Sequence, residues 1–236
     1  MKVVVLHGWG GHAPEKMKML VSELKAKGHE VFAPSLPGFG EAEPPQEPWG
    51  VSDYVVWVDQ QVRSLGWEHF SLCGHSFGGR ISIKYAIEYP SKVDKLILIA
   101  SAGIKHELNF KTKLIKAIGT IGKSVFSIPG LSLLSPIIHK LWRILLGRKD
   151  YYRASGVMQQ TFIKVIEEDL RGLVSEIKIP TLILWGKKDA MVPIGDAHFL
   201  HENISDSKLK IYSQGDHLIP YNYPEEIAEE IDQFIV

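Results

Sequence analysis

Six short apolar runs rich in β-branched residues recur along the chain, and stretches with helical spacing separate them. The runs cover residues 2–6, 30–35, 69–73, 95–100, 181–185 and 208–212. Their nearly continuous apolar character predicts strands that are covered on both faces. Helices are predicted over residues 15–27, 52–65, 80–89, 195–203 and 224–234. This alternation predicts an α/β fold, a mostly parallel sheet of about six strands flanked by helices and joined by right-handed crossovers.

The alternation of strands and helices is interrupted in the middle of the chain. The interrupting stretch contains helical runs at residues 114–121 and 137–146, and prolines and glycines break it into short pieces. We therefore expect a core made of residues 1–103 and 176–236. Residues 104–175 are predicted to be a helical cap inserted into that core.

Composition and charge favour one globular domain without a strong global field. The 236 residues are 45% hydrophobic, which suits one α/β domain with a sizeable core and an insertion. Lys and Arg total 27, as do Asp and Glu, so nothing favours nucleic acid as a partner. Residues 105–153, however, include ten basic and only two acidic residues, which gives this segment a local charge of +8. We interpret this excess as a solvated or core-docking face, while attraction to anionic substrates or to a membrane stays open.

Several classes of site are disfavoured by the residues present. The single cysteine, Cys73, ends an apolar run and is predicted to be a buried small hydrophobe, which excludes an internal disulfide. The ten histidines lack zinc-ligand spacing, and the first glycine-rich loop matches neither a dinucleotide fingerprint nor a Walker motif. We therefore expect no metal and no cofactor. No signal segment is visible before the first strand, so we expect a cytoplasmic protein, with its oligomeric state open.

The motif Gly-His-Ser-Phe-Gly at residues 74–78 lies between a predicted strand and a predicted helix. A serine hydroxyl becomes a nucleophile when it is held rigidly against a base, and a sharp strand-to-helix turn would hold Ser76 in that way. Gly74 and Gly78 leave the crossing free of side chains, and the N–H groups that open the helix can face a developing negative charge. The motif alone is common in ordinary turns, but this setting favours a nucleophile.

Three further features, in order along the chain, complete a resemblance to the α/β-hydrolase superfamily. They are a His-Gly-Trp-Gly segment at residues 7–10, Asp189 after a late strand, and His217 after the last strand. The resemblance implies that His217 takes the proton of Ser76 and that Asp189 orients the imidazole and stabilises its cation. It covers nearly the whole chain outside the cap.

The same resemblance implies an oxyanion hole formed by the backbone N–H groups of Trp9 and Phe77. Asp196 is a second acid nearby, but it falls at a predicted helix start, where a carboxylate is expected for capping. We interpret His7 as a brace for the first loop and His75 as a residue that packs beside the nucleophile.

The implied function is a serine hydrolase that forms an acyl-enzyme on Ser76. A carboxylesterase acting on small to medium acyl esters is the broadest expectation, with a small-molecule substrate as the partner. Thioester, lactone, peptide or C–C bond hydrolysis remain alternatives because the same triad serves them all, and a binding protein or a membrane-associated lipase on this fold is also possible. Cap side chains expected to line the substrate site are Phe126, Leu134, Trp142 and Phe162.

Overall fold

The computed structural model describes residues 1–105 and 156–236. Six strands in these ranges form a single sheet: β1 (Lys2–Leu6), β2 (Glu30–Phe32), β3 (Phe70–His75), β4 (Val93–Ile99), β5 (Thr181–Gly186) and β6 (Ser207–Tyr212). The strand order is 2-1-3-4-5-6, and every pair of neighbours is parallel. The prediction of a parallel α/β sheet of about six strands is confirmed.

Helices connect these strands and cover the sheet. In the described ranges they are α1 (Ala13–Ala26), α2 (Val51–Ser64), α3 (Phe77–Glu88), α4 (Val157–Glu167), α5 (Ile194–Asn203), α6 (Ile219–Asn222) and α7 (Pro224–Ile235). Two short 3-10 turns lie at Pro90–Lys92 and Val174–Glu176. Helices α1, α6 and α7 carry a proline in their first turn, where the missing N–H has no intrahelical partner to lose.

Alternate residues of the strands fill two apolar layers, one on each face of the sheet. Val4, Leu72 and Leu98 face the layer that α2, α3 and α5 cover. Val5 and Ile97 face the layer that α1 and α7 cover. Because both faces are buried there, β1, β3 and β5 lack the polar alternation of a half-exposed sheet, as the sequence pattern indicated. At the edge of the sheet, β6 instead exposes Lys208, Lys210 and Ile211.

The second strand is shorter than predicted. The run at 30–35 predicted a strand of six residues, but β2 ends at Phe32. Pro34 follows, and proline has no N–H to donate to a ladder, so the prediction was wrong beyond Phe32. The boundaries of the other predicted strands differ from the structure by up to two residues, the ordinary uncertainty of element ends.

The sequence-predicted cap lies partly outside the described residues. The helical runs at 114–121 and 137–146 fall there, as do three of the four residues proposed to line the substrate site: Phe126, Leu134 and Trp142. Residues 156–175 belong to the same compact unit as the sheet. The cap boundaries at 104 and 175 stay a prediction. None of the described helices is long and apolar enough to cross a membrane.

The strand order reverses at β1, and this reversal positions the site. The chain passes from β1 to β2 on one side, then returns across β1 to β3 on the other. The loops that follow β1 and β3 therefore leave neighbouring strands at the same carboxyl edge. Such a switch point opens a crevice in a parallel sheet, and it is where ligands bind in open α/β folds.

We expect Leu98→Ala to lower the free energy of unfolding by about 2–5 kcal/mol, because it leaves a cavity in a closely packed layer. The Leu98 side chain is fully buried in β4. The control is Met19→Ala on the exposed side of α1, where the change should stay within about 0.5 kcal/mol. Urea denaturation measures both, and equal losses would contradict the assignment of Leu98 to the core.

Candidate active site

Ser76 occupies the turn between β3 and α3 in a strained backbone conformation. Its φ is 53° and its ψ is −109°. A positive φ is rare for a residue with a Cβ and costs about 1–3 kcal/mol, so surrounding structure must hold it. The N–H of Ser76 donates to the Ile99 carbonyl at 3.0 Å, and its own carbonyl accepts from Arg80 and Ala102 at 3.1 and 3.0 Å. The turn is thus fixed from both α3 and the end of β4.

Two glycines allow the backbone to pass closely at this turn. A Cβ added to Gly74 would overlap the Gly78 carbonyl, and a Cβ added to Gly78 would overlap the Leu6 carbonyl at the end of β1. The Gly78 N–H donates to the His7 carbonyl at 3.0 Å. The start of α3 is therefore in direct backbone contact with the first loop.

Two hydrogen bonds from His217 join the three residues predicted to act together. His217 Nε2 is 3.0 Å from Ser76 Oγ, and His217 Nδ1 is 2.8 Å from Asp189 Oδ2. A carboxylate only accepts, so Nδ1 carries the proton and Nε2 is left to accept from the serine hydroxyl. The chain of bonds from Asp189 through His217 to Ser76 can therefore withdraw the serine proton.

Asp189 is held in place by the loop that follows β5. Its side chain is 0% exposed, and its Oδ1 accepts from the N–H groups of Met191 and Val192, both at 2.8 Å. The same loop is bound to the histidine loop, because the Lys188 N–H donates to the Gly215 carbonyl at 2.8 Å. Both carboxylate oxygens thus accept hydrogen bonds, which fixes the orientation of the Asp189 side chain.

The second acid near Asp189 in the sequence, Asp196, is buried in the first turn of α5, as its predicted place at a helix start indicated. The carboxylate that accepts the hydrogen bond of His217 Nδ1 is Asp189. Asp216, beside the histidine, accepts the Leu218 N–H at 2.8 Å and so closes the local turn.

The two backbone N–H groups predicted to form an oxyanion hole lie on the two loops of the switch point. Phe77 is the first residue of α3, so its N–H has no acceptor within the helix. Trp9 lies in the loop after β1, and neither N–H donates to a backbone carbonyl of the described residues. The bond from Gly78 to His7 keeps the two loops together. The role of the Trp9 and Phe77 N–H groups in binding an oxyanion stays a prediction.

Aromatic rings surround the first loop. The Trp9 ring lies edge-on to Phe39, Phe77 and Phe162, with centroids 4.8, 5.1 and 4.9 Å apart. Phe162, predicted to line the substrate site, thus contacts the residue that carries a predicted oxyanion donor. Its place in substrate binding stays a prediction. Trp9 and Phe162 are half-buried, whereas Phe39 and Phe77 belong to the core.

His7 braces the loop that follows β1, as the sequence predicts. Its Nε2 accepts from the Leu36 N–H at 3.0 Å, and its Nδ1 donates to the Gly8 carbonyl at 2.7 Å. Burial lowers the pKa of His7 to about 4, so the ring is neutral in neutral solution. A neutral ring suits both bonds, because one nitrogen donates and the other accepts.

His75 also has a defined set of partners, which the sequence did not reveal. Its Nε2 is 3.0 Å from the His217 carbonyl, and its Nδ1 is 3.1 Å from the Tyr221 hydroxyl. Burial, with the nearby His217 as a second cause, lowers the pKa of His75 to about 3. Tyr221 is four residues beyond His217 and is one of eight tyrosines, so no sequence signal singled it out.

The described residues contain no cluster of histidine, cysteine or acidic side chains that could hold a metal ion. Cys73 is buried, as predicted, and burial raises the pKa of its thiol to about 12. It therefore remains a protonated small hydrophobe rather than a nucleophile. The expectation that no cofactor takes part stays a prediction.

Comparison with known proteins identifies related sequences over nearly the whole chain. The model of a family described as serine aminopeptidase, S33, matches residues 1–222. Human monoacylglycerol lipase ABHD6 is 25% identical over 253 residues, 99% of this chain and 74% of that protein. A 2-hydroxy-6-oxo-6-phenylhexa-2,4-dienoate hydrolase from Burkholderia cepacia is 25% identical over 242 residues, 91% of this chain and 80% of that protein.

Solved structures share the architecture. An esterase from Exiguobacterium antarcticum superposes with a TM-score of 0.76 and 24% identity, over 100% of this chain and 91% of that one. At this identity the likeness concerns the fold.

We expect folding to weaken as the pH falls below about 6.5. The unfolded chain then binds protons that folded His7 and His75 do not bind until about pH 4 and about pH 3, so stability is lost with falling pH. The slope is at most about 1.4 kcal/mol per pH unit for each histidine. Urea unfolding at two pH values, about 7.5 and about 5, measures the loss.

The matched variant is His7→Gln, which keeps an acceptor for the Leu36 N–H and removes one titrating group. It should lose less stability than the wild type over the same pH interval. An equal loss in the two proteins would contradict the assignment of a neutral, buried His7.

Proposed function

The chain belongs to the α/β-hydrolase family described as serine aminopeptidase, S33, whose model matches residues 1–222. We propose that it cleaves carboxylic esters of small molecules through an acyl-enzyme on Ser76. The observation that carries the proposal is the hydrogen-bonded series of Asp189, His217 and Ser76 at the carboxyl edge of the sheet. A serine needs a base within about 3 Å to become nucleophilic, and the base needs a group that fixes its tautomer. Both conditions are met by buried side chains.

In the first half of the reaction, Ser76 Oγ attacks the ester carbonyl carbon while its proton passes to His217 Nε2. Asp189 stabilises the resulting imidazolium, whose Nδ1–H donates to the carboxylate. When the tetrahedral intermediate collapses, the C–O bond to the alcohol breaks and His217 gives the proton to the leaving oxygen. In the second half, water attacks the acyl carbon and loses a proton to His217. The bond from the acyl carbon to Ser76 Oγ then breaks, His217 returns the proton to Oγ, and the acid is released.

The negative oxygen of each tetrahedral intermediate needs hydrogen-bond donors. We assign this task to the backbone N–H groups of Trp9 and Phe77. Removing one such donor elsewhere costs about 3–4 kcal/mol of transition-state stabilisation. Because both donors belong to the backbone, a side-chain substitution at Trp9 leaves its N–H in place. The aromatic ring would instead affect how the substrate fits beside Phe162.

The relatives support more than one substrate class. A monoacylglycerol lipase among them supports an ester of a fatty acid, and a dienoate hydrolase supports cleavage of a C–C bond next to a carbonyl. Ester hydrolysis is our principal proposal because the triad and two backbone donors supply everything that acyl transfer to water requires. C–C bond hydrolysis is the alternative, and it needs a substrate carbon that leaves as a stabilised carbanion.

Ser76→Ala should abolish turnover of p-nitrophenyl esters and monoacylglycerols, because no nucleophile remains to form the acyl-enzyme. The measurement is initial rate across acyl chains from acetyl to palmitoyl, with a dienoate C–C substrate in parallel. Ser64→Ala, at the exposed end of α2, is the matched control and should retain wild-type rates. Wild-type ester turnover that survives in Ser76→Ala would contradict the proposal, and turnover of the dienoate alone would replace ester with C–C bond hydrolysis.

Asp189→Asn should lower kcat by about 10⁴ and leave the fold intact. The amide can donate to His217 Nδ1 and so favours the tautomer in which Nε2 carries the proton and cannot accept from serine. The control is Asp94→Asn on the exposed amino-terminal part of β4, which should change kcat little. Steady-state kinetics with circular dichroism decides; equal kcat values in the two variants would exclude Asp189 as the acid.

A further inference from the structure

The ring of His75 connects two residues of different segments through a directed series of hydrogen bonds. A carbonyl oxygen can only accept, so the bond to His217 requires the proton on His75 Nε2. The other nitrogen, Nδ1, then presents a lone pair, and the Tyr221 hydroxyl donates to it. Tyr221 therefore selects the His75 tautomer that can bind the His217 carbonyl.

The backbone after His217 is held on both sides. His75 donates to the His217 carbonyl at 3.0 Å, and Asp216 Oδ1 accepts the next N–H, that of Leu218, at 2.8 Å. The rings of His75 and His217 also pack with centroids 5.0 Å apart, and Tyr221 packs edge-on to His75 at 5.1 Å. The peptide group between His217 and Leu218, which adjoins the Cα of His217, thus has little freedom to rotate.

We propose that His75 and Tyr221 are positioning residues, which hold the backbone of His217 so that its Nε2 stays aligned with Ser76 Oγ during acyl transfer. The inference rests on the proposed function. His217 must accept a proton from one oxygen and return it to another, and both transfers need an alignment of about 3 Å. A misplacement of about 1 Å costs about 10²-fold in rate.

The neutrality of His75 also serves this arrangement. A positive charge on His75 would oppose formation of the His217 imidazolium, whose ring is 5.0 Å away. Burial keeps His75 uncharged, since its pKa is lowered to about 3. The site therefore contains a histidine that acts as a fixed donor beside a histidine that acts as a base.

Three substitutions test the proposal through kcat and KM for a p-nitrophenyl ester. His75→Leu removes the donor and should lower kcat about 10- to 100-fold with KM nearly unchanged. His75→Gln can place an amide N–H near the former Nε2 and should recover most of that loss. Tyr221→Phe removes only the hydroxyl that selects the tautomer and should lower kcat about two- to tenfold.

Tyr223→Phe is the matched control, because Tyr223 stacks on Tyr212, whereas the tyrosine that contacts His75 in the described part of the chain is Tyr221. All rates are normalised to active sites titrated with a fluorophosphonate, so loss of folded protein does not imitate a loss of kcat. Tyr221→Phe tests the series of hydrogen bonds from Tyr221 through His75 to His217 even if His75→Leu fails to fold.

Wild-type kcat in Tyr221→Phe and in whichever His75 variants fold would overturn the positioning proposal while leaving the triad intact. An unchanged kcat with a raised KM would overturn it too, because it would indicate substrate contact. A wild-type protein that neither turns over esters nor labels at Ser76 would instead contradict the proposed function. These results are distinguishable in one set of measurements.

Discussion

The backbone contact between the start of α3 and the end of β1 is the constraint on which the site depends. Gly78 approaches the Leu6 carbonyl so closely that no Cβ fits, and its N–H donates to the His7 carbonyl. This contact fixes the strained turn at Ser76 next to the loop that carries Trp9. The strand order brings the two loops together, because β1 and β3 are neighbouring strands. The chain continues from β1 to β2 on one side of the pair and from β3 to β4 on the other.

The remaining residues of the site, Asp189 and His217, lie in the loops after β5 and β6, the last two strands in the strand order of the sheet. The loops after β5 and β6 are hydrogen-bonded to each other, and a further hydrogen bond joins Asp189 to His217. His75 joins these loops to the serine turn, because it is the residue next to Ser76 and it donates to the His217 carbonyl. Two buried neutral histidines, His7 and His75, thus brace the site, and Asp189 accepts hydrogen bonds at both carboxylate oxygens.

Much of this arrangement could be predicted from the sequence, because its signals are local. Apolar runs marked the strands, and the glycines around Ser76 marked the turn. The chain order of Asp189 and His217 supplied the rest through a family resemblance. The early end of β2 was missed because the predicted strand at 30–35 extends through Pro34, whose missing N–H cannot donate to the ladder.

The hydrogen bonds of the His75 ring could not be predicted, because they join residues far apart in the sequence. His217 lies 142 positions and Tyr221 lies 146 positions from His75. Sequence periodicity reports which face of an element is buried, but not which polar atoms meet between distant loops. The chain has ten histidines, and their individual partners depend on the assembled sheet edge. The contact between Phe162 and Trp9 is likewise set by tertiary packing, and the role of Phe162 in substrate binding stays a prediction.

The central claim, covalent catalysis by Ser76, is tested most directly by trapping the intermediate. Wild-type protein is mixed with an ester, quenched in acid on the millisecond timescale, digested and analysed by mass spectrometry. The account predicts an acyl group on the peptide containing Ser76 that forms and decays at the rate of turnover. Ester turnover with that peptide unmodified at every time point would contradict it.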